Sequence, residues 1–278
     1  MASNPDAKPP SSHAGRDVVS RGRYGPSPLG SATFIGLRTA DTLLQYNLLT
    51  SGRGAAMLSR LGIATLSPAA HPPSNFLSHS PLPLSTLIIV SMATGSALKQ
   101  IYWLLHLSRE EFPPKAALVV STYNTLVNTL GSLLLLSAST SAVLATPTVP
   151  IPGLGGARIS LPTAVGVVMY VVGMTLETVA EEQRKRFKDD PKNKGKICTS
   201  GLWGMARHIN YGGYTLWRTG YWLAAGGWAA GAAMLAWHSW TFLHSSIPIL
   251  NEYMGKRYGE QWERYTRDVK YALIPGII

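Results

Sequence analysis

The chain holds one cysteine, Cys198, in 278 residues. A lone thiol excludes an intrachain disulfide and any metal site built from several cysteines. Cys198 therefore reads as a plain loop thiol. Charge is scarce as well. Asp, Glu, Lys and Arg make up only 14% of the residues, against about 25% in a soluble domain. Acids are the scarcer sign, 14 against 25 bases, and formal net charge is +11. Such a balance suits nucleic acid, anionic lipid or a phosphorylated ligand. The basic clusters flank apolar runs, so membrane lipids are favoured and no nucleic-acid partner is expected. The first 25 residues contain no apolar core of secretory-signal length. No G-x-G-x-x-G occurs, which removes the dinucleotide fold built on that fingerprint.

What the chain does contain is long apolar segments. A spanning helix needs about 20 mostly apolar residues. Leu84 to Leu107 and Ala116 to Ala138 meet that length, and Leu161 to Leu176 does so when extended through Ala180. Tyr214 to Leu250 is too long for one span. Gly226-Gly227 offers a break, giving a short helix, a tight turn and a second helix ending at Pro248. Ser31 to Leu49 is a sixth candidate, interrupted by Arg38 and Asp41, which sit three apart and can pair on one helix face. The fold expected is an all-α, polytopic membrane bundle of about six spans with a cofactor pocket on its cytosolic side. Residues 1–30, rich in Pro, Ser, Gly and Arg, read as a disordered N-terminal segment. Residues 31–159 read as a substrate-side half and 160–278 as a cofactor-side half.

The loops set the orientation. Residues 181–196 hold Arg184, Lys185, Arg186, Lys188, Lys192, Lys194 and Lys196, and residues 251–278 hold Lys256, Arg257, Arg264, Arg267 and Lys270. An excess of Lys and Arg marks the cytosolic side, and six spans then place both termini there. Between the spans, Glu177 and Glu181 share a helix face, and Asp190-Pro191 stops that helix. Asn193, Lys196, Arg207, His208, Asn210 and Tyr211 follow at close spacing. Arg forks onto phosphate, Lys adds point charge, and Asn and Tyr supply oriented hydrogen bonds. A solvated, positive-inside loop has the same composition. In the second apolar run Lys99, Tyr102 and His106 fall on one face. Tyr102 is the candidate acid, and Lys99 and His106 could instead reach for the interface. Tyr123, Asn124 and Asn128 make the third run polar, and such residues face a bundle interior. Gly227 and Gly231 read as a helix-packing pair. His238 and His244 match no metal spacing, and no metal site is expected.

The motifs E-T-V-A-E-E-Q at 177–183, F-K-D-D-P at 187–191, N-K-G-K at 193–196, G-L-W at 201–203 and R-H-x-N-Y at 207–211 occur in that order. They resemble the C-terminal domain of the steroid 5-alpha-reductase family, in its DUF1295 branch. The tail K-R-Y-G-E-Q-W-E-R-Y at 256–265 is similar to that of sterol C14 and C24(28) reductases. The resemblance covers about residues 160–278. It implies an endoplasmic-reticulum membrane enzyme that reduces C=C bonds of a sterol, steroid-like or enoyl lipid with NADPH. It further implies that Asn193, Lys196, Arg207, His208, Asn210 and Tyr211 meet the cofactor, with Arg257, Tyr258, Trp262 and Tyr265 closing the pocket from below. Two positions depart from the family pattern. Ile209 stands where Pro is usual, and Tyr214 stands where Glu is usual. A membrane methyltransferase using S-adenosylmethionine and a non-catalytic lipid-binding member are the alternatives.

Overall fold

The computed structural model describes residues 23–67, 82–153 and 156–278. The disorder expected of residues 1–30 falls, up to residue 22, outside the described residues. Eight α-helices follow in order: α1 Pro28–Thr50, α2 Arg53–Arg60, α3 Leu84–Tyr102, α4 Pro114–Leu136, α5 Leu161–Asp189, α6 Ile209–Thr241, α7 Ile247–Tyr258 and α8 Glu260–Asp268. Proline opens α1, α4, α5 and α7 within the first turn. There its missing N–H costs nothing and its φ is already helical. The helix α5 ends at Asp189, before Pro191, as the Asp-Pro stop predicts.

Among the described residues, three helical segments are long and apolar enough to cross a membrane: Leu84–Leu107, Pro114–Leu136 and Leu161–Asp189. The bundle as a whole carries large apolar side chains on its outside and buries polar ones beside an apolar core. Leu98, Leu126, Leu130, Val168, Val171, Trp237 and Trp240 are exposed. Arg38, Asp41, Gln45, Ser96, Asn124, Asn128, Ser132 and Arg218 are buried. Lipid accepts the former and rejects the latter, so polar side chains turn inward. The helix α1 lies against α3 and α4, not on a surface, and its Arg38–Asp41 pair forms as expected.

Three expectations need correction. The helical path does not end at Pro248. It passes from α6 through a π-turn at Phe242–Ser246 into α7, with Pro248 in the first turn. The wider turn frees the backbone groups a proline would otherwise disrupt. The fold is also not wholly α-helical. Between α4 and α5, β1 Thr148–Pro150 pairs antiparallel with β2 Arg158–Ser160. Arg158 fixes this hairpin from its side chain, donating to the Thr148 hydroxyl at 2.9 Å and the Thr148 carbonyl at 2.7 Å. Finally, Cys198 is buried among Ala180, Trp203, Ala206 and Ile209, and burial pushes its thiol pKa up. It is packing, not an open loop thiol.

The break read from Gly226-Gly227 occurs at Gly227, whose φ of 71° is open to glycine. The closest packing joins α5 to α6, where glycines let the backbones touch. A Cβ on Gly173 would sit 2.4 Å from the Trp217 nitrogen and 2.7 Å from the Gly213 carbonyl oxygen. Gly173→Val should therefore destabilise by about 1–3 kcal/mol or more through overpacking. Gly36 faces open space, and Gly36→Ala should be neutral or slightly stabilising. Thermal unfolding of both variants in detergent checks this; equal midpoints would refute the close contact.

Candidate functional site

A polar network fills the centre of the bundle. Arg38 and Asp41, both with fully buried side chains, pair at 2.6 Å. Asp41 also accepts from Gln45 Nε2 at 2.8 Å and from Asn128 Nδ2 at 2.7 Å. The Asn128 oxygen accepts from Arg218 at 2.6 Å, and Arg218 also donates to Asn124 Oδ1. Gln100 Nε2 donates to that same Asn124 oxygen at 2.9 Å. The Arg218 guanidinium lies 4.4 Å from the Trp217 ring centroid. Its Nε is 3.5 Å from the Tyr214 hydroxyl. Four helices, α1, α3, α4 and α6, are thus joined by amides and two arginines.

Beside this network lies a half-open cavity of about 170 Å3, lined by Phe34, Lys99, Gln100, Trp103, Phe112, Val120, Glu177 and Tyr214. Its apolar wall is rigid, because Phe112 meets Phe34 and Trp103 edge-on, at 5.2 and 6.2 Å between centroids. Its polar side is the Lys99–Glu177 ion pair, whose side chains are 9% and 13% exposed. Trp217 Nε1 holds the other Glu177 oxygen at 2.7 Å. Lys99 therefore does not reach for the interface. It belongs to a ladder between α3 and α5 that continues with Tyr102 donating to Glu182 and His106 lying 3.6 Å from Glu182. Arg109–Asp189 ends the ladder. The shared face of Lys99, Tyr102 and His106 is real, and Tyr102 stacks on His106 at 5.1 Å. Tyr102 is 39% exposed and is not among the residues lining the cavity.

The loop between α5 and α6 carries the other candidates. His208 is buried, with its ring 5.7 Å from Tyr211 and 6.1 Å from Trp262. Tyr211 stacks on Phe242 at 4.5 Å, and Phe242 meets Tyr214 at 5.7 Å. A row of rings so runs from the loop to the cavity. Asn210 Nδ2 donates to Glu181 at 2.8 Å, and Asn193 Nδ2 caps the end of α5 at the Phe187 carbonyl, 3.1 Å away. Arg207 faces the C-terminal tail, donating to the Val269 and Lys270 carbonyls at 2.5 and 2.9 Å. Its Nε is buried with no hydrogen-bond partner among the described residues. Tyr265 donates to the Trp203 carbonyl at 2.6 Å and packs with Trp262, Ile197 and Val269. Tyr258 accepts from Lys188 at 3.0 Å. Arg257 donates to Tyr253 and lies exposed, as does Lys196. The candidates from Arg207 to Tyr211 and those from Tyr258 to Tyr265 share one end of the bundle; Tyr102 sits on the ladder instead.

Burial lowers the His208 pKa to about 4, against the hydrogen bond to Asn251, which favours the charged form. The unfolded ring titrates near 6.5. Between these values the unfolded chain binds the extra proton, so stability is complete above about pH 6.5 and falls as pH drops towards 4. The loss is on the order of 3 kcal/mol. His208→Gln should flatten that part of the curve of thermal midpoint against pH. An unchanged slope would mean His208 does not carry it.

Sequence reading missed Arg218 and Glu177 as site residues. Arg218 carried a usable signal: an arginine inside an apolar run is functional or paired by default. Glu177 carried less, since its partners Lys99 and Trp217 are distant in sequence. His238 is buried and donates from Nδ1 to the Met234 carbonyl, leaving Nε2 to accept from Tyr123 at 3.0 Å. His244 stacks on Trp240 at the surface.

Residues 119–269, spanning most of α4 through α8, match the family described as a protein of unknown function, DUF1295. The probable O-methyltransferase ustE of Ustilaginoidea virens is 34% identical over 245 residues, covering 87% of this chain and 84% of that protein. The 7-dehydrocholesterol reductase of Danio rerio is 30% identical over 150 residues, 43% of this chain and 30% of that enzyme. The Delta(14)-sterol reductase of Schizosaccharomyces pombe is 34% identical over 119 residues, 35% of this chain and 26% of that enzyme. The chain thus spans under a third of either sterol reductase, but nearly the whole length of the methyltransferase-named relative. With its polar-centred bundle and the motifs of the loop between α5 and α6, this chain belongs to the DUF1295 family.

Proposed function

We propose that the chain is an integral-membrane oxidoreductase that reduces a C=C bond of a sterol, steroid-like or enoyl lipid with NADPH. The observation that carries this reading is the row His208, Tyr211, Phe242 and Tyr214. It joins a basic loop to a cavity with apolar walls, and sterol reductases are among the relatives. The loop fits a phosphate-bearing dinucleotide. Arg207 keeps an unpartnered buried N–H, Lys196 is exposed, and Tyr211 is partly exposed beside them. Asn193, Lys196, Arg207, His208, Asn210 and Tyr211 would hold the cofactor, with Arg257, Tyr258, Trp262 and Tyr265 beneath it. Bound NADPH supplies the hydride. The proton comes from this chain. The Tyr214 oxygen accepts from Arg218, so its own O–H is not used in that contact. Tyr214 stands where the resemblance to the reductase family places Glu, a hydrogen-bond acceptor in the cofactor pocket; in this reading it carries the proton instead. Tyr102, the acid first chosen from the sequence, has its hydroxyl turned to Glu182.

In this reading α1, α3, α4, α5 and the two limbs of α6 make six spans in the endoplasmic reticulum, with both termini and the basic loop in the cytosol. A membrane methyltransferase using S-adenosylmethionine is the second reading, favoured by the coverage of the methyltransferase-named relative. Titrating NADPH and S-adenosylmethionine separately against detergent-purified protein tests both. Saturable NADPH binding, weakened about 10–100-fold by Arg207→Ala, is expected. The thermal midpoint of that variant must be followed as well, because Arg207 also anchors the tail. Binding of S-adenosylmethionine alone would replace the first reading with the second.

A further inference from the structure

Acid is missing from one end of the bundle. No Asp or Glu occurs in residues 42–109, 112–176 or 191–251. These stretches include the chain that joins α1 to α3, the hairpin between α4 and α5, and the break at Gly227. All three connections leave the end of the bundle opposite the basic loop. That end carries Arg53, Arg60 and Arg158. Arg158 is engaged by Thr148 within the hairpin. Arg53 and Arg60 are exposed, and neither takes part in an ion pair among the described residues. Bases on this side run against the orientation set by residues 181–196, so these two arginines need another role.

Helix α2 presents them together. Gly52, at φ 78°, turns the chain directly after α1. Gly54 then packs so closely that a Cβ on it would sit 2.5 Å from Leu136 Cδ1 and 2.7 Å from the Leu48 carbonyl oxygen. Leu58 is buried one turn further on. Beyond α2, the Leu66 N–H donates to the Leu136 carbonyl and the Ala138 N–H to the Ala64 carbonyl, each at 2.9 Å. The helix is thereby held to the ends of α1 and α4. Arg53, Met57, Arg60 and Leu61 recur at i, i+4, i+7 and i+8, one stripe beside the packed one. Met57, Leu61 and Ile63 are all exposed. Large apolar side chains set between exposed arginines suit neither bulk water nor the hydrocarbon core. They suit the boundary, where apolar groups enter the acyl region and long basic side chains reach phosphate.

We propose that α2 is an interfacial helix that seats the headgroup of an anionic phospholipid on Arg53 and Arg60. Two turns separate the arginines, about 10 Å along the helix, so they approach a phosphate from either side of Met57. Each guanidinium forks onto phosphate oxygens through paired N–H groups. With no carboxylate at this end, nothing in the chain's own connections competes for them. A zwitterionic headgroup offers the same phosphate but adds a cation, which an acid-free, basic surface repels. The proposal rests on the chain lying in a membrane and not on which reaction it catalyses.

The test places the full chain in phosphatidylcholine vesicles that also contain phosphatidylglycerol with a photoreactive diazirine on its headgroup. Peptide mass spectrometry after illumination maps the label. Residues 51–66 should be labelled. Plain phosphatidylglycerol should compete that label away, whereas added phosphatidylcholine and inorganic phosphate should not. Arg53→Gln combined with Arg60→Gln should cut the label about 10–30-fold, and Arg53→Lys combined with Arg60→Lys should keep most of it. Label on residues 181–196, at the other end of the bundle, should be the same in all three proteins and serves as the internal reference. Label missing from residues 51–66, or undiminished in the glutamine pair, overturns the proposal. Equal competition by phosphatidylcholine overturns it as well, and competition by inorganic phosphate would make the ligand a free anion instead of a lipid.

Discussion

Asp41→Asn should cost about 3–5 kcal/mol of stability. Asp41 is the acid between two arginines in the central network. It accepts hydrogen bonds from Arg38, Gln45 and Asn128. Asparagine would turn an amide N–H towards donors and leave those donors and the Arg38 charge unmatched. Water cannot relieve them there, and apolar surroundings make an unpaired charge far dearer than a missing hydrogen bond. Yield of folded protein and thermal midpoint in detergent report the effect. Arg38→Met combined with Asp41→Leu should recover much of it, because removing a buried pair is milder than breaking one. A midpoint for Asp41→Asn within a degree or two of the unmodified protein would show that the network does not depend on this charge.

Tyr214→Phe should lower turnover of a C=C substrate by about 10²–10⁴-fold while NADPH affinity stays unchanged. The ring keeps its edge contact with Trp217 at 5.0 Å and with Phe242, so packing survives; the proton is lost together with the 3.5 Å contact to Arg218. Tyr102→Phe should retain most activity, since its hydroxyl serves Glu182 on the ladder. Tyr214→Glu, the residue usual in the related reductases, should restore part of the rate. If Tyr102→Phe is the dead variant and Tyr214→Phe the active one, the proton comes from the ladder instead. The two substitutions exchange outcomes under the two assignments, so one pair of assays separates them.

Much of the fold was legible because its signals are local. Apolar length gave α3, α4 and α5; Asp190-Pro191 gave the end of α5; Gly226-Gly227 gave the kink of α6 at Gly227. The spacing of Arg38 and Asp41 gave their pairing. The path through Pro248 was not legible, because a π-turn is set by tertiary packing and leaves no residue signature. The loop motifs were legible as a group, but not what each side chain holds. Arg207 reads as a phosphate ligand, and its Nη1 is taken up by the carbonyls of residues 269 and 270. The cavity was the least legible part. Its lining comes from α1, α3, α4, α5 and α6 and the segment before α4. No window of sequence brings Gln100, Glu177 and Tyr214 together.

The central network also fixes an order of events during synthesis. Asp41 is 87 residues ahead of Asn128, and Asn128 a further 90 ahead of Arg218. At roughly 5–20 residues per second, each interval lasts on the order of 5–20 s. Through the first, Asp41 has only its local partners Arg38 and Gln45; through the second, the Asn128 oxygen awaits a cation not yet translated. The nascent chain in the membrane is an incomplete polar cluster until α6 arrives. A chain stopped between α4 and α6 would keep that cluster open, and the finished protein closes it by bringing Arg218 onto Asn124 and Asn128.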